Sequence, residues 1–599
     1  MNIIYISTII LLITSYLLMP KKEKKLNLIY SIIISVIIIL TYNIFITTIM
    51  FFFKIKSTLF NLSVFNIIFS IFPILKIKNK KEIQKYYLNK IDLIAVIIIL
   101  LLAITILVLN YGTDIAIKHG VTDAATHYFA SDDFYRYSTL FSRENSDTGK
   151  WLNCPYLMTG AYVNTGIFFK IFDGIIDETF FCKLYFIFDM FIWVLSGLLM
   201  YTALSIDNKN KKHQILAIIF TIFYILAYQL NSLFAGFSYL GIGLDIIIGI
   251  IIIMKCNIEK NYKISSLFLL NLGIMFSYYY FAPILFLAEV WYIIVTNKKQ
   301  NIKIFSKQNI FEILISLVVP GLIGVIYFIG YPLMQSNTKA FDYVGAIATD
   351  GFIYKDLIMN ILPYVLLSEI YIIYISLKNK NVFLDKLLFS TIIFTLIIFM
   401  LMKLEFVSSY YYYKLYYMLF LVLIASSYEM LKIFIDKSKK EVIIVFVMLA
   451  IYSIGIFSAM VFDKNFYFYD IYLTNGEEIK DDYALIKDKE LYLFEYYNNN
   501  INTMQNEDTL FAKTKGNTGR DRWIYSLTKN KNNLNGALIN EDITVEDFVK
   551  SVEYKYFVLL KNDYGGEYDK VQDEVKKYNL KILIQNSAGM ILEKQDLVE

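Results

Sequence analysis

The chain has 599 residues, a formal charge of +5, 57% hydrophobic residues and 17% aromatics. Apolar runs such as Ile33–Leu40 and Ile246–Met254 are too long and too many for a water-soluble domain. A helix crossing hydrocarbon takes about 20 apolar residues, and a helix satisfies its own backbone where no water reaches, so composition points to a polytopic α-helical membrane protein in a lipid bilayer.

Cys154, Cys182 and Cys256 make neither a metal spacing nor a disulfide framework. The heavy use of Ile, Lys, Asn and Tyr fits an AT-rich, prokaryotic genome. In chain order, Asn2–Met19 is apolar, lacks a basic leader and runs into PKKEKK (Pro20–Lys25). This predicts a retained first helix with its N-terminus outside, rather than a cleaved signal peptide. Spans are predicted at 3–19, 27–50, 57–76, 91–111, 179–203, 215–234, 239–254, 264–282, 283–297, 310–331, 356–377, 385–403, 415–434 and 442–462. Within Ile264–Thr296, Pro283 either divides two helices or marks a re-entrant bend, so the count is about 13–14.

With the N-terminus outside, every lysine-rich loop falls on the cytoplasmic side. These loops are Lys21–Lys25, Lys76–Lys90, Asp207–Lys212, Lys255–Lys263, Asn297–Lys307, Lys378–Lys386 and Asp436–Lys440. The predicted organisation is N-terminal membrane helices over 1–90, a membrane body over 91–462 with an outer loop over 112–179, and an outer soluble segment over 463–599. The predicted location is the plasma membrane, with the N-terminus and that last segment extracytoplasmic.

The outer loop opens on VTDAATHYFASDDFYRY (Val121–Tyr137), directly after the aliphatic run Ile91–Asn110. On a helix, Asp123, His127 and Phe134 share one face and Tyr128 and Tyr135 another. A short helix at the bilayer surface suits this mixture, because tyrosines favour the interface. A carboxylate held there can take a proton from an acceptor hydroxyl, helped by a modestly raised pKa. The plainer reading of Asp123, Asp132 and Asp133 is three solvated loop acids. Asp123 and His127, at i and i+4, can share a divalent cation with Asp132 or Asp133. No ligand set is compelling, and no cofactor is expected.

Asp189, Asp245, Glu289 and Glu369 fall inside predicted spans. Intramembrane carboxylates face a cavity or a partner. Asp245, near the outer end of its helix in GIGLDIII, is the best placed to touch substrate. Further on, SSYYYYKLYY (Ser408–Tyr417) sets Lys414 among tyrosines at a helix mouth. Such a lysine can neutralise a phosphate while the rings bracket a sugar or a lipid, or it can simply snorkel from an aromatic belt.

The segment from Asp463 to Glu599 holds 18 Lys+Arg against 25 Asp+Glu, a net of −7, so the rest of the chain carries +12. Its apolar runs YFVLL (Tyr556–Leu560), KILIQ (Lys581–Gln585) and GMILE (Gly589–Glu593) read as strands. TVEDFVKSV, with Thr544 and Asp547 as a candidate capping box, and EYDKVQDEVKKY read as helices. A small α/β domain is predicted. GNTGRDRW (Gly516–Trp523) lacks the strand–loop–helix order of a nucleotide-phosphate site and reads as an ordinary loop. No nucleic-acid partner is expected.

TDAATHYFASDDF after a membrane helix, followed by PYLMTGAYVNTG (Pro155–Gly166), resembles the first outer loop of the GT-C glycosyltransferases. ATDGFIYKDL (Ala348–Leu357), which contains Tyr354, resembles a flexible outer loop near their donor site. SSYYYYKLYY resembles an aromatic-plus-lysine segment near the lipid phosphate in some bacterial members. The resemblance spans Ile91–Glu599 and is one of placement. Three helices precede its start, and the loop lacks the Asp-Glu pair of the mannosyl- and aminoarabinose-transferring branches.

The resemblance implies a polyprenyl-phosphate-linked sugar as donor and an envelope polymer, glycolipid or protein as acceptor, with inversion by a single displacement. It implies Asp123 as general base with His127 orienting it, and Asp132 and Asp133 as second choices. Lys414 is implied for the donor phosphate, with Tyr412, Tyr413 and Tyr354 lining the substrate. The competing readings are a transporter or flippase for a lipid-linked or amphipathic solute, and a non-catalytic envelope assembly protein. The paired repeats and matched Gly/Pro-broken helices of many transporters are not seen in the sequence.

Overall fold

Several helices begin where a short polar side chain captures an otherwise orphaned backbone N–H. Asn27 accepts from the amides of Ile29 and Tyr30, Thr58 from Asn61, Asn89 from Ile91 and Asn210 from Lys212. The computed structural model describes residues 1–23, 25–113, 115, 117, 122–140, 159–208, 210–234, 236–299, 303, 306–327, 357–437, 443, 447, 450, 453, 485–501, 508–511, 518–528, 545–551, 554–564, 568–578 and 580–594. Among the described residues, nine helices are long and apolar enough to cross a membrane. The protein is a polytopic, helical membrane protein.

The helices in order are α1 (Asn2–Leu18), α2 (Leu28–Phe52), α3 (Leu59–Lys80), α4 (Lys90–Tyr111), α5 (Thr122–Tyr137), α6 (Thr159–Phe172), α7 (Phe181–Ser205), α8 (Lys211–Tyr224), α9 (Leu230–Phe234), α10 (Ser238–Lys255), α11 (Lys260–Tyr278) and α12 (Ala282–Lys299). After them come α13 (Lys307–Ile313), α14 (Val319–Val325), α15 (Leu357–Leu377), α16 (Phe383–Lys403) and α17 (Ser409–Lys437). Pro283 sits in the first turn of α12, just after a 3₁₀ turn at Tyr279–Phe281, so this proline divides two helices.

The span expected over 215–234 is not continuous. A wide π-turn at Ile225–Gln229, with Ala227 at φ −100° and ψ −109°, separates α8 from α9. The expected span over 310–331 likewise contains a π-turn, at Leu314–Val318. The span expected over 442–462 lies almost wholly outside the described residues.

Polar contacts tie the lysine-rich connections together at one end of the bundle. Strands β1 (Lys25–Asn27) and β2 (Lys85–Tyr87) pair in parallel. Lys76 meets Glu259 at 3.1 Å, Lys22 meets Asn257 at 3.0 Å, Lys255 meets Glu429 at 2.7 Å and His213 meets Asp436 at 3.0 Å. Another set joins the opposite connections. The Asn2 amide donates to the Asp173 carbonyl at 2.9 Å, the Ser57 amide to the Ser138 carbonyl at 2.6 Å, and Lys183 pairs with Asp488 at 2.7 Å.

The residues after 485 contain α18 (Asp488–Asn500), α19 (Thr518–Thr528), α20 (Val545–Lys550), α21 (Lys561–Tyr564) and α22 (Tyr568–Lys577). They also contain β3 (Thr509–Phe511), β4 (Tyr556–Leu560), β5 (Lys581–Asn586) and β6 (Gly589–Glu593), in the order β3-β4-β6-β5. β3 runs parallel to β4, and β6 runs antiparallel to both β4 and β5. YFVLL is apolar throughout because both of its faces are covered. Phe557 and Leu559 pack with Phe548 and Met590, while Val558 and Leu560 join the same core as Trp523 and the membrane helices. Arg520 locks this region, with its guanidinium bonded to Asp563 at 2.6 Å and to Glu490 at 2.7 Å. Burial opposes that charge, and the two carboxylates outweigh it, so the guanidinium is held above its ordinary pKa.

GNTGRDRW, expected as a loop, is helical from Thr518 onward. Its two glycines signal a loop, but Trp523, Ile524 and Leu527 recur at helical spacing and are all buried.

Candidate functional site

The site begins with α5, which was expected to lie half in water. Instead, Ala124, Ala125 and all of His127–Phe134 are buried. α19 is the cause. Trp523 packs over Tyr128 with ring centroids 5.5 Å apart, Tyr525 stacks on Phe129 at 5.5 Å, and the Ser526 hydroxyl donates to the Ala125 carbonyl at 3.1 Å.

Two glycines set the depth of α5. A Cβ on Gly166 of α6 would stand 2.7 Å from Phe134 and 2.8 Å from the Ser131 carbonyl oxygen. Gly236, at φ +68°, precedes α10, and a Cβ there would stand 2.7 Å from the Ala124 Cβ. The left-handed backbone and the close approach both call for glycine.

His127 is 4% exposed, and its Nδ1 shares a hydrogen bond of 2.7 Å with the Tyr162 hydroxyl of α6. The imidazole lies nearly parallel to that ring and meets Tyr239 of α10 edge-on at 4.8 Å. The Tyr239 hydroxyl in turn accepts from Lys414 Nζ of α17 at 2.8 Å. Two residues far apart in the chain thus meet across one tyrosine.

Lys414 is 3% exposed. Its ammonium lies 4.2 Å from the Tyr410 ring centre, 4.4 Å from Phe237, 5.3 Å from Tyr239 and 5.7 Å from Tyr411. Tyr410 and Tyr411 stand at i−4 and i−3 from the lysine, so the helix stacks them on its face. Tyr412 pairs its hydroxyl with that of Tyr416 at 2.8 Å, and both Tyr412 and Tyr413 pack their rings against Tyr416.

The other candidates are distributed around this centre. Asp123 stands in the first turn of α5, one turn before His127; its side chain lies outside the described residues. Tyr354 also lies outside them. Asp132 is 1% exposed and pairs with Arg136 at 2.9 Å, and Arg136 reaches Glu178 at 2.8 Å. The Asp132 carboxylate raises the guanidinium above its ordinary pKa, and an ion-paired carboxylate is a weak base. Asp133 is 8% exposed. Asp245 is fully buried nearly two turns deeper than Tyr239, where it accepts a hydrogen bond from the Ser196 hydroxyl. Asp189 is buried 4 residues along α7 from Tyr185, whose hydroxyl lies 3.5 Å from that of Ser238.

The chain matches no protein-family model, and it matches no curated protein. Among the described residues, no group of three or more His, Cys, Asp or Glu is placed to hold a metal ion. The cage around Lys414 offers a buried cation, aromatic walls and a phenol, which suits an anionic oxygen attached to an apolar or sugar-bearing group. The His127–Tyr162 pair beside it can hold or pass a proton. Tyr162 and Tyr239 were not singled out in the sequence, because one tyrosine among 50 carries no local mark. Tyr239 belongs to the site by virtue of the helix packing alone.

Proposed function

We propose that this protein is an inverting membrane glycosyltransferase of GT-C type, taking its sugar from a polyprenyl-phosphate donor. The observation that carries the reading is the meeting of His127 and Lys414 through Tyr239, which puts a proton-handling group and a buried cation at one end of the bundle. In this reading Asp123, one turn before His127, takes the proton of the acceptor hydroxyl. The hydroxyl oxygen bonds to the anomeric carbon, the bond from that carbon to the phosphate oxygen breaks, and polyprenyl phosphate leaves with the electron pair. Lys414 neutralises the charge that builds on the phosphate. A lipid-linked donor needs no nucleotide, in keeping with a site outside the cytoplasm.

The sidedness is part of the proposal. The lysine-rich connections gathered at one end by Lys76–Glu259 and Lys255–Glu429 favour that end as cytoplasmic. The N-terminus, α5 and the segment after 485 are joined at the other end, which favours an extracytoplasmic site of 13 or 14 spans in the plasma membrane. The acidic C-terminal segment is then an outer α/β unit that lies on α5 and closes the site. The acceptor is a polymer, glycolipid or protein of the envelope.

The test has two parts. Mass spectrometry compares envelope glycans with and without the gene, and the purified chain in lipid nanodiscs is offered a panel of polyprenyl-phosphate sugars. Loss of one glycan together with turnover of one donor is the expected result. An unchanged envelope and no turnover of any donor would overturn the assignment.

A further inference from the structure

A cavity of about 690 Å³ opens at the lysine-rich end of the bundle, at the far end of α10 from Tyr239. α10 separates its mouth from the His127–Lys414 site by roughly 25 Å at 1.5 Å per residue. None of His127, Tyr162, Tyr239 and Lys414 lines the cavity, which is therefore a second feature. Its size falls in the range of ligand pockets, about 300–1,000 Å³.

The walls come from α1, α2, α3, α11 and the end of α10. One face of α2 lines its length, from Asn27 through Ile34, Ile38 and Tyr42 to Phe45. Eighteen residues of helix give a tube of about 27 Å, close to the hydrocarbon thickness of a bilayer. Apart from a few serine hydroxyls, the deep part is aliphatic and aromatic.

The mouth has a different character. Lys21, Lys22, Lys25 and Lys255 line it, with Glu23, Asp207 and Glu259. Two of these charges are already matched, Lys255 by Glu429 at 2.7 Å and Glu259 by Lys76 at 3.1 Å. Lys22 bonds the neutral Asn257. Among the described residues no carboxylate ion-pairs with Lys21, and burial pulls its ammonium below the ordinary lysine pKa. A cation half-withdrawn from water at the head of an apolar tube needs an anion, and the tube needs a hydrocarbon chain.

We propose that this cavity binds an anionic phospholipid, with the phosphate among Lys21, Lys22 and Lys25 and one chain running along α2. A neutral lipid would fill the tube and leave Lys21 uncompensated. A soluble anion would meet the lysines and leave the tube empty. The proposal gives the first three helices a task, since they wall the cavity and the lipid joins them to α10 and α11. It stands independently of the glycosyltransferase reading.

The test uses the full chain, purified in detergent and stripped of lipid. Native mass spectrometry and thermal melting are run with phosphatidylglycerol, phosphatidylcholine, polyprenyl phosphate and inorganic phosphate. Phosphatidylglycerol is expected to bind and raise the melting temperature, with phosphatidylcholine at least tenfold weaker and inorganic phosphate without effect. Lys21→Gln should weaken phosphatidylglycerol about 10- to 100-fold, the loss of one charge-assisted contact, and narrow its margin over phosphatidylcholine, whose phosphate is already offset by its own choline cation. Ser35→Trp, which fills the tube, should abolish both. Lys21→Gln decides the question if Ser35→Trp does not fold. Equal binding of the two phospholipids, stabilisation by inorganic phosphate alone, or no effect of Lys21→Gln would overturn the proposal. Preference for polyprenyl phosphate over phosphatidylglycerol would overturn the phospholipid assignment.

Discussion

Replacing Lys414 by methionine separates its chemistry from its packing. The side chains are similar in length, and Met fills irregular apolar space. Lys414 is 3% exposed, with a hydrogen bond of 2.8 Å to Tyr239 and the rings of Phe237, Tyr239, Tyr410 and Tyr411 within 6 Å. Removing the ammonium removes the cost of burying it together with its attraction to the rings. Exchanging buried charge for well-packed apolar groups is often neutral for stability, so the melting temperature should move by only a few degrees. Donor binding should suffer more. A hydrogen bond to a charged group is worth about 1.5–3 kcal/mol, or roughly 10- to 150-fold in affinity at 1.36 kcal/mol per decade. The assay is the initial rate of transfer against polyprenyl-phosphate-sugar concentration, in nanodiscs, with melting measured on the same samples. Lys414→Met with normal melting and an unchanged kcat/KM for donor would refute the phosphate role and leave the lysine as part of an aromatic belt.

Four other predictions follow from the same geometry. Asp123→Asn should fold and bind donor but lose about 10²–10⁴-fold in transfer; Asp132→Asn should lose far less transfer yet cost roughly 1–3 kcal/mol of stability, since it removes one of the two carboxylates on Arg136 and leaves Glu178, and equal losses in transfer would move the base away from Asp123. Gly236→Ala forces a side chain into a left-handed backbone and against Ala124, so it should lower both stability and transfer, whereas an unperturbed variant would show that α5 does not depend on that approach. Lys170 of α6 is buried and pulled down to about 8; between pH 8 and its unfolded value near 10.5 the unfolded chain binds the extra proton, so stability should rise with pH through that window, and the rise should vanish in Lys170→Met. In intact cells of a cysteine-free variant, Ile175→Cys and Tyr492→Cys, both at exposed positions, should react with an impermeant maleimide while Ile83→Cys is protected, and the reverse pattern would invert the topology.

Local sequence determined the helices. Apolar length, Asn and Thr caps and the lysine-rich gaps lie within a few residues of what they specify. The bounds of α2, α4, α7 and α10 follow the expected spans closely, and YFVLL, KILIQ and GMILE became strands where their patterns said. Sequence also marked His127 and Lys414 as unusual residues at helix mouths.

What it did not contain was their meeting. The link runs through Tyr239, 175 residues from Lys414, and Tyr162, 35 residues from His127. No periodicity encodes such a separation, because helix period reports only which face a residue shares with its neighbours. The burial of α5 was equally hidden. Its mixture of acids, tyrosines and a histidine reads as a surface helix until α19, some 400 residues on, lies across it and takes the place of water. The helices are properties of their own segments, while the site and the basic-mouthed cavity exist only because distant segments exclude solvent from one another's polar groups.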